Sequence, residues 1–553
     1  MSNKAKKGST RFRFKSGYYN IGAIQAELDH EYLRNCFIET GDIEAALDVH
    51  SPCSLVAGRT GVGKTALLWH IKENQENVIE VEPENLSFDY IASSNILQFF
   101  DEAGLNLDVL FRVLWRHVLV VELLRYKFDI ENESGMDKFK AVLPSITKKD
   151  RSKEKAIDYL KTWGDSFWKE TEYRIQEVVS TIERELEGSI GGSLSGTSLS
   201  AKGAKSLTDS QREEVVTRGK EAVAKVQLKE LGDVLQVLNE DIFTDKKRNY
   251  YILLDRLDEN WAEENIRYRL IRALIEELRT FRKIENLKIL IAIRTDLLET
   301  VFERTRDPGF QEEKFRDLIM PINWTGEQLY ELVRERINYL LRHKYTTQEV
   351  EFEELFPGKV GKSKAFDYIL NRTLYRPRDI ISYVNTILQN SVGKSSITVD
   401  AVKKAEEEYS EDRFRSLIYE WGTEHPYLDE ISFILENRPQ SFKVGSITKD
   451  DIDTAAVNIL SNYEGESYLL AKAAQDYCDD KLSGNKFRDQ IVDCLYHVGM
   501  VGIKKGPTHS VKWSYEDRAI IGKVNFKQES KIFVHPMLWR KFDTRMSDAT
   551  SGY

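Results

Sequence analysis

Eight consecutive residues, Gly58-Arg59-Thr60-Gly61-Val62-Gly63-Lys64-Thr65, have the types and the spacing to hold phosphate. They read G-x-x-x-x-G-K-T. An apolar run, Ser54-Leu55-Val56-Ala57, precedes them and Ala66-Leu67-Leu68-Trp69 follows, which predicts strand, glycine loop and helix start. In such a loop the backbone N–H groups turn inward around an anion, and the helix N-terminus adds partial positive charge. The predicted nucleotide-binding set is Gly58, Thr60, Gly61, Val62, Gly63, Lys64, Thr65 and Ala66. Lys64 is expected to reach the β- and γ-phosphates of ATP, and the Thr65 hydroxyl to ligate Mg²⁺.

A second motif supplies the metal side. Tyr250-Tyr251-Ile252-Leu253-Leu254 reads as a buried strand ending in Asp255, followed by Arg256-Leu257-Asp258-Glu259. An apolar run closing on an acid places that carboxylate at the C-terminal edge of a parallel sheet, where Asp255 would share Mg²⁺ with Thr65. A further carboxylate must orient or deprotonate the attacking water, and either Asp258 or Glu259 is placed for it. The two acids also suit a helix start. A third strand, Leu287 to Ile293, ends in Arg294-Thr295-Asp296, a polar end able to sense the γ-phosphate. A fourth piece, Tyr375-Arg376-Pro377-Arg378-Asp379, sets two arginines at a helix start, and the guanidinium fork suits phosphate.

The order GRTGVGKT, YYILLDRLDE, ILIAIRTD, PINWTGEQLYELVRERI and YRPRDIISYVN resembles bacterial P-loop ATPases related to the STAND and AAA+ classes. DRLDE is similar to the D-x-L-D-E signature of NACHT-type proteins. The resemblance covers roughly residues 17–95 and 240–395, including a lead-in from Ala26 to Gly41. It implies Arg294 as first sensor, Arg376 or Arg378 as second sensor in a helical lid, and an arginine from a neighbouring subunit, for which Arg304 and Arg306 are the candidates. Many relatives of this kind sit among phage-defence or DNA-repair genes. Arg256 stands where many AAA+ proteins carry the catalytic glutamate, which favours the NACHT-like arrangement.

The elements that must position these residues need a long chain. At 553 residues there is room for two to four domains with their own cores. The expected fold class is α/β: a P-loop NTPase parallel sheet with a large helical insertion, a helical lid and a C-terminal winged-helix domain. The expected boundaries are a basic N-terminus over 1–16, the core over 17–94 and 241–325, the insertion over 95–240, the lid over 326–400 and the C-terminal domain over 401–553. Within the insertion, Ile157, Leu160, Trp163, Phe167 and Trp168 read as helix packing, and the Gly- and Ser-rich stretch 188–198 as a flexible loop. Near the C-terminus, helices over 468–480 and 487–496 precede a strand at Met500 to Lys504, a turn at Lys505 to His509 and a return strand at Ser510 to Tyr515. That is winged-helix organisation, with Lys486 and Arg488 on its second helix. In STAND-like proteins such a module packs on the nucleotide domain and holds it off, which is the expected role here; duplex DNA is the alternative partner.

Composition narrows the rest. The most apolar long stretch, Leu105 to Leu124, carries Asp108, Arg112, Arg116, His117 and Glu122, so it reads as an amphipathic core helix and no membrane span is expected. The basic start (Lys4, Lys6, Lys7, Arg11, Arg13, Lys15) lacks the apolar region of a secretory signal. Four cysteines without C-x-x-C pairing point to a reducing cytoplasm. The net charge of −10 argues against a uniformly basic nucleic-acid binder, but from Lys481 onward there are six more basic than acidic residues. No nuclease, deaminase or protease set is apparent. The expected function is therefore an ATP-binding and ATP-hydrolysing switch or scaffold that self-associates with nucleotide and serves an antiviral system through a separate effector protein. A DNA-acting repair or loader ATPase, and a nucleotide-locked switch that hardly turns over, are the alternatives.

Overall fold

The computed structural model describes residues 20–83, 104–129, 229–259, 261–306, 313–344, 349–463, 468–516 and 526–546, with isolated positions among 14–217. Two compact units emerge. One, the sheet unit, comprises residues 39–59 and 64–322; the other, the helical unit, comprises 1–38, 60–63 and 323–553.

The sheet unit runs β1 (Leu55–Gly58), α1 (Lys64–Asn74), β2 (Val78–Val81), α2 (Asp108–Lys127), β3 (Tyr250–Leu254), α3 (Glu264–Phe281), β4 (Leu287–Arg294), α4 (Thr295–Arg304) and β5 (Ile319–Pro321). The strands pair in the order β2-β3-β4-β1-β5, every pair parallel. A parallel sheet covered on both faces demands continuous apolar strands. Accordingly every residue of β3 is buried, as is all of β4 except its last, Arg294. All strands run the same way, so their C-terminal ends lie on one side of the sheet; Gly58 stands opposite Arg294, whereas Leu254, opposite Ile291, closes β3 three residues earlier.

The exception to the apolar rule is Lys288, inside β4 and 2% exposed. Its Nζ donates to the carbonyls of Asp48 and Ser51, both at 2.9 Å, and to that of Ala45 at 3.4 Å. These carbonyls lie in the last turn of the short helix Asp42–Leu47 and just beyond it, so the lysine adds a donor where a helix end leaves carbonyls short of partners. Helix α2, within the span expected as insertion, packs on α3. Trp115 Nε1 donates to the Leu270 carbonyl at 2.8 Å, and Arg116 grips Glu277 through two nitrogens at 2.9 and 3.0 Å. The aromatic stripe at Ile157 to Trp168, the Gly- and Ser-rich stretch and the basic start lie outside the described residues. Among the described residues no helix is long and apolar enough to cross a membrane.

The helical unit contains α5 (Gly326–Lys344), α6 (Pro377–Gln389), α7 (Val399–Glu420), β6 (Ser441–Lys443), α8 (Lys449–Asn462), α9 (Leu469–Cys478), α10 (Gly484–His497), β7 (Val501–Lys504) and β8 (Lys531–Val534). Local signals explain several starts. Pro377 opens α6, where its missing N–H costs nothing. The Thr398 hydroxyl caps α7, and Thr448 with Asp451 forms a capping box on α8. The three strands form an antiparallel sheet ordered β6-β8-β7.

Here the structure departs from the sequence reading. The expected return strand, Ser510 to Tyr515, makes only one bridge, Lys512 to Ile503, whereas β8 pairs along the whole of β7. Alternation in that segment serves stacking instead. Trp513 and Tyr515 lie 6.0 Å apart between centroids, and Trp513 meets His535 at 4.7 Å. Gly502 makes the space for this, since a Cβ there would come within 2.8 Å of the indole.

A candidate nucleotide site

In the sheet unit, α1 starts at Lys64 directly after the glycine loop, with Gly63 at φ +101°. Lys64 Nζ donates back to the carbonyls of Gly58 (3.1 Å) and Arg59 (3.2 Å). Although the residue keeps intermediate exposure overall, desolvation of its ammonium lowers the pKa to about 8; Asp258, Asp255 and Asp296 oppose that fall and Arg294 adds to it. Thr65 hydrogen-bonds the Asp255 carboxylate. Burial raises the Asp255 pKa, against the Thr65 bond, the Arg256 N–H and the charge of Lys64. The Arg256 N–H reaches Asp255 Oδ1 at 2.8 Å, and Arg256 itself sits at φ +61°. This left-handed residue turns the chain sharply after β3.

That turn separates the two candidate bases. Asp258 lies 3.9 Å from Arg294, and its charge is the largest that favours protonated Lys64. Glu259 instead lies 3.7 Å from Arg256. Arg294 is held by Asp296 through paired hydrogen bonds. Asp296 was visible in sequence only as the neighbour of Arg294; its role as the partner that aims the guanidinium follows from the bend between β4 and α4.

In the helical unit, the middle of the loop meets three donors. The Thr60 carbonyl accepts from the Arg376 guanidinium, the Gly61 carbonyl from the Arg378 backbone N–H at 3.3 Å, and the Val62 carbonyl from Trp324 Nε1 at 2.7 Å. In a planar trans peptide the C=O and the following N–H point in opposite directions. Fixing these three carbonyls therefore aims the N–H groups of Gly61, Val62 and Gly63 the other way, which is how a nest for an anion is made. Sequence reasoning missed Trp324. Its signal was a tryptophan immediately before α5 whose indole N–H needs a partner. Trp324→Phe keeps the ring and removes the donor, so nucleotide affinity is expected to fall about two- to tenfold, the worth of one neutral hydrogen bond. Titration of a fluorescent ATP analogue checks this, and an unchanged affinity would leave the loop indifferent to Trp324.

The two arginines of the fourth motif have different surroundings. Arg376 is 1% exposed and bound to Asp379 (3.0 Å) and to both oxygens of Glu420 (2.9 and 3.0 Å). Burial works against its charge, but Asp379 and Glu420 more than offset that and push its pKa up. Arg413 joins the same pair of acids, at 3.4 Å from Asp379 and 2.9 Å from Glu420. Arg378 is different. Desolvation, then the neighbouring Arg376, lowers its pKa, and its buried Nε has no hydrogen-bond partner among the described residues. The buried Thr60 Oγ1 likewise has none.

Comparison with known proteins adds the following. The FunZ-associated C-terminal helical domain matches residues 327–418, which span α5, α6 and nearly all of α7. No curated protein matches the chain. Among solved structures, the ORC2 protein of Aeropyrum pernix, in ADPNP–ADP complexes, aligns over 96% of this chain and 94% of its own, at 11% identity and a TM-score of 0.31.

Proposed function

We propose that the chain binds ATP with Mg²⁺ at this loop, hydrolyses it, and uses the nucleotide state to control self-association and engagement of a separate effector protein in antiviral defence. The observation that carries the nucleotide part is the meeting of Lys64, Thr65 and Asp255 beyond the ends of β1 and β3, the two strands that flank β4, with a desolvated ammonium beside a hydroxyl–carboxylate pair. The defence part rests on the resemblance of the motifs.

The residues fit a magnesium ion. One hydroxyl and one carboxylate already in contact are what such an ion takes from protein, since it fills its other positions with water and phosphate. Bound there, Mg²⁺ would neutralise charge developing on the β- and γ-phosphates. Lys64 would exchange its two carbonyl partners for phosphate oxygens. The Asp258 carboxylate, aligned by Arg294, would accept the proton of the attacking water, with Glu259 held aside by Arg256. Arg378 is the better phosphate sensor of its pair, because the Arg376 guanidinium is committed to two acids and a carbonyl. Lid, insertion and winged-helix domain complete the proposed architecture, the last from the β6-β8-β7 sheet behind α8 to α10.

Removing the Lys64 ammonium should cost about 1.5–3 kcal/mol of binding, roughly ten- to a hundredfold in ATP affinity. Titration of Lys64→Ala with a fluorescent ATP analogue reads this directly; wild-type affinity in the variant would sink the assignment. The pH dependence has a fixed sign. Phosphate binds the protonated amine, whose pKa without nucleotide is about 8, so affinity is full below that value and falls as pH rises through it. Binding above pH 8 should take up a proton, measurable by calorimetry in buffers of different ionisation enthalpy. For the cellular role, phage plating with Lys64→Ala decides: full protection by the variant would remove nucleotide from the defence reading.

A further inference from the structure

The sheet of the helical unit carries a feature that its fold does not need. Lys443 on β6 stands opposite Lys531 on β8, and Lys531 stands opposite Lys504 on β7. Three lysines thus lie in one cross-strand row. Lys443 and Lys531 are exposed and Lys504 is half-buried. The next row, Phe442, Ile532 and Ile503, is buried and packs into the core, so the lysines share the opposite face. Like charges set directly opposite one another destabilise a sheet. Among the described residues one acid pairs with them, Glu529, at 2.6 Å from Lys443. Lys505, directly after β7, and Lys527, four residues before β8, are also exposed.

We infer that this face binds the backbone of duplex DNA without regard to sequence, through Lys443, Lys531 and Lys504. Neighbouring strands lie about 4.8 Å apart, so the row spans about 10 Å, over which a duplex presents about six phosphate charges. A single strand would need free aromatic rings for its bases. Those beside the row are engaged already: Trp513 with Tyr515 and His535, and Tyr515 with Tyr375 at 6.1 Å. On α10 only Lys486 of the two cations expected of a reading helix is exposed. Arg488 is 4% exposed and bonded to Asn485 and Asp489. This inference stands apart from the nucleotide reading, since none of its residues belongs to the loop.

The test measures binding of the full chain to a labelled duplex of arbitrary sequence across a salt series. Wild type is compared with the triple variant Lys443→Gln, Lys504→Gln, Lys531→Gln, and with Lys486→Gln on α10. Each neutralised phosphate contributes about 0.9 to the slope of log affinity against log salt, so the triple variant should be shallower by about 2 to 3. At low salt it should bind at least tenfold more weakly than wild type, while Lys486→Gln keeps the wild-type slope. Removal of three like charges from one face should leave the melting temperature unlowered, which separates lost binding from lost fold. An absence of binding by wild type, an unchanged slope in the triple variant, or an equal loss in Lys486→Gln would overturn the inference. So would tighter binding of single strands, or displacement of the duplex by polyglutamate at equal charge.

Discussion

Replacing Arg376 with alanine is expected to lower the unfolding free energy of the helical unit by about 3–5 kcal/mol, the cost of breaking a buried ion pair from one side. The network holds two cations, Arg376 and Arg413, and two acids, Asp379 and Glu420, all with side chains no more than 6% exposed. Alanine leaves one buried negative charge without compensation. Arg376→Lys keeps the charge but loses the two-pronged grip on Glu420, so it should recover only part of the loss. Arg378→Ala makes the contrast, because no ion pair joins Arg378 among the described residues and its loss should fall on nucleotide response instead. Urea denaturation midpoints of the three variants check the ranking; wild-type stability in Arg376→Ala would return that residue to the role of free sensor. The network also sets an acid limit. Burial raises the Asp379 pKa, but Arg376 and Arg413 outweigh it and hold the carboxyl below its usual value, so its contribution is present above the unfolded pKa near 4 and is lost on acidification below that.

Gly61→Ala should cost ATP affinity about tenfold or more while leaving the fold intact. Gly61 sits at φ +78°, a conformation that costs an L-residue roughly 1–2 kcal/mol. A Cβ there would also meet Arg378 Cβ at 2.7 Å and Cδ at 2.9 Å. The methyl group must displace the Arg378 segment or the loop itself, and either breaks the bond between the Gly61 carbonyl and the Arg378 N–H. Gly63 is the control. It has φ +101°, but a methyl carbon on it would meet nothing within 4 Å, so Gly63→Ala carries backbone strain alone. Titration of both variants with ATP separates close approach from strain; equal losses would remove Arg378 from the account.

The parallel core was legible because buried strands leave no alternation to misread: β1, β3 and β4 are apolar runs, and each ends at, or for β3 one residue before, the residue that the motif spacing singles out. Lys64, Thr65 and Asp255 could be named as neighbours for the same reason, since strand ends share an edge. What local spacing could not reveal came from distant partners. Asp258 and Glu259 diverge because Arg256 takes a left-handed turn. Arg376 and Arg378 are two residues apart, yet Glu420 and Arg413 on α7 commit only the first. Trp513 and Tyr515 alternate like a strand, but their rings stack on each other and meet His535 edge-on, and the pairing passes to Lys531–Val534.

The three donors that shape the glycine loop have a consequence for the order of events at the ribosome. Trp324 lies 262 residues after Val62, and Arg376 lies 316 residues after Thr60. Domains fold as they emerge at about 5–20 residues per second, so roughly 15–60 s separate synthesis of the loop from synthesis of the residues that hold its carbonyls. Within that interval β3, β4 and β5 are completed after β1, while Thr60 and Gly61 still await the contacts that orient the amides after them. On the nucleotide reading proposed above, a nascent chain would thus be spared from capturing ATP before α5 and α6 exist.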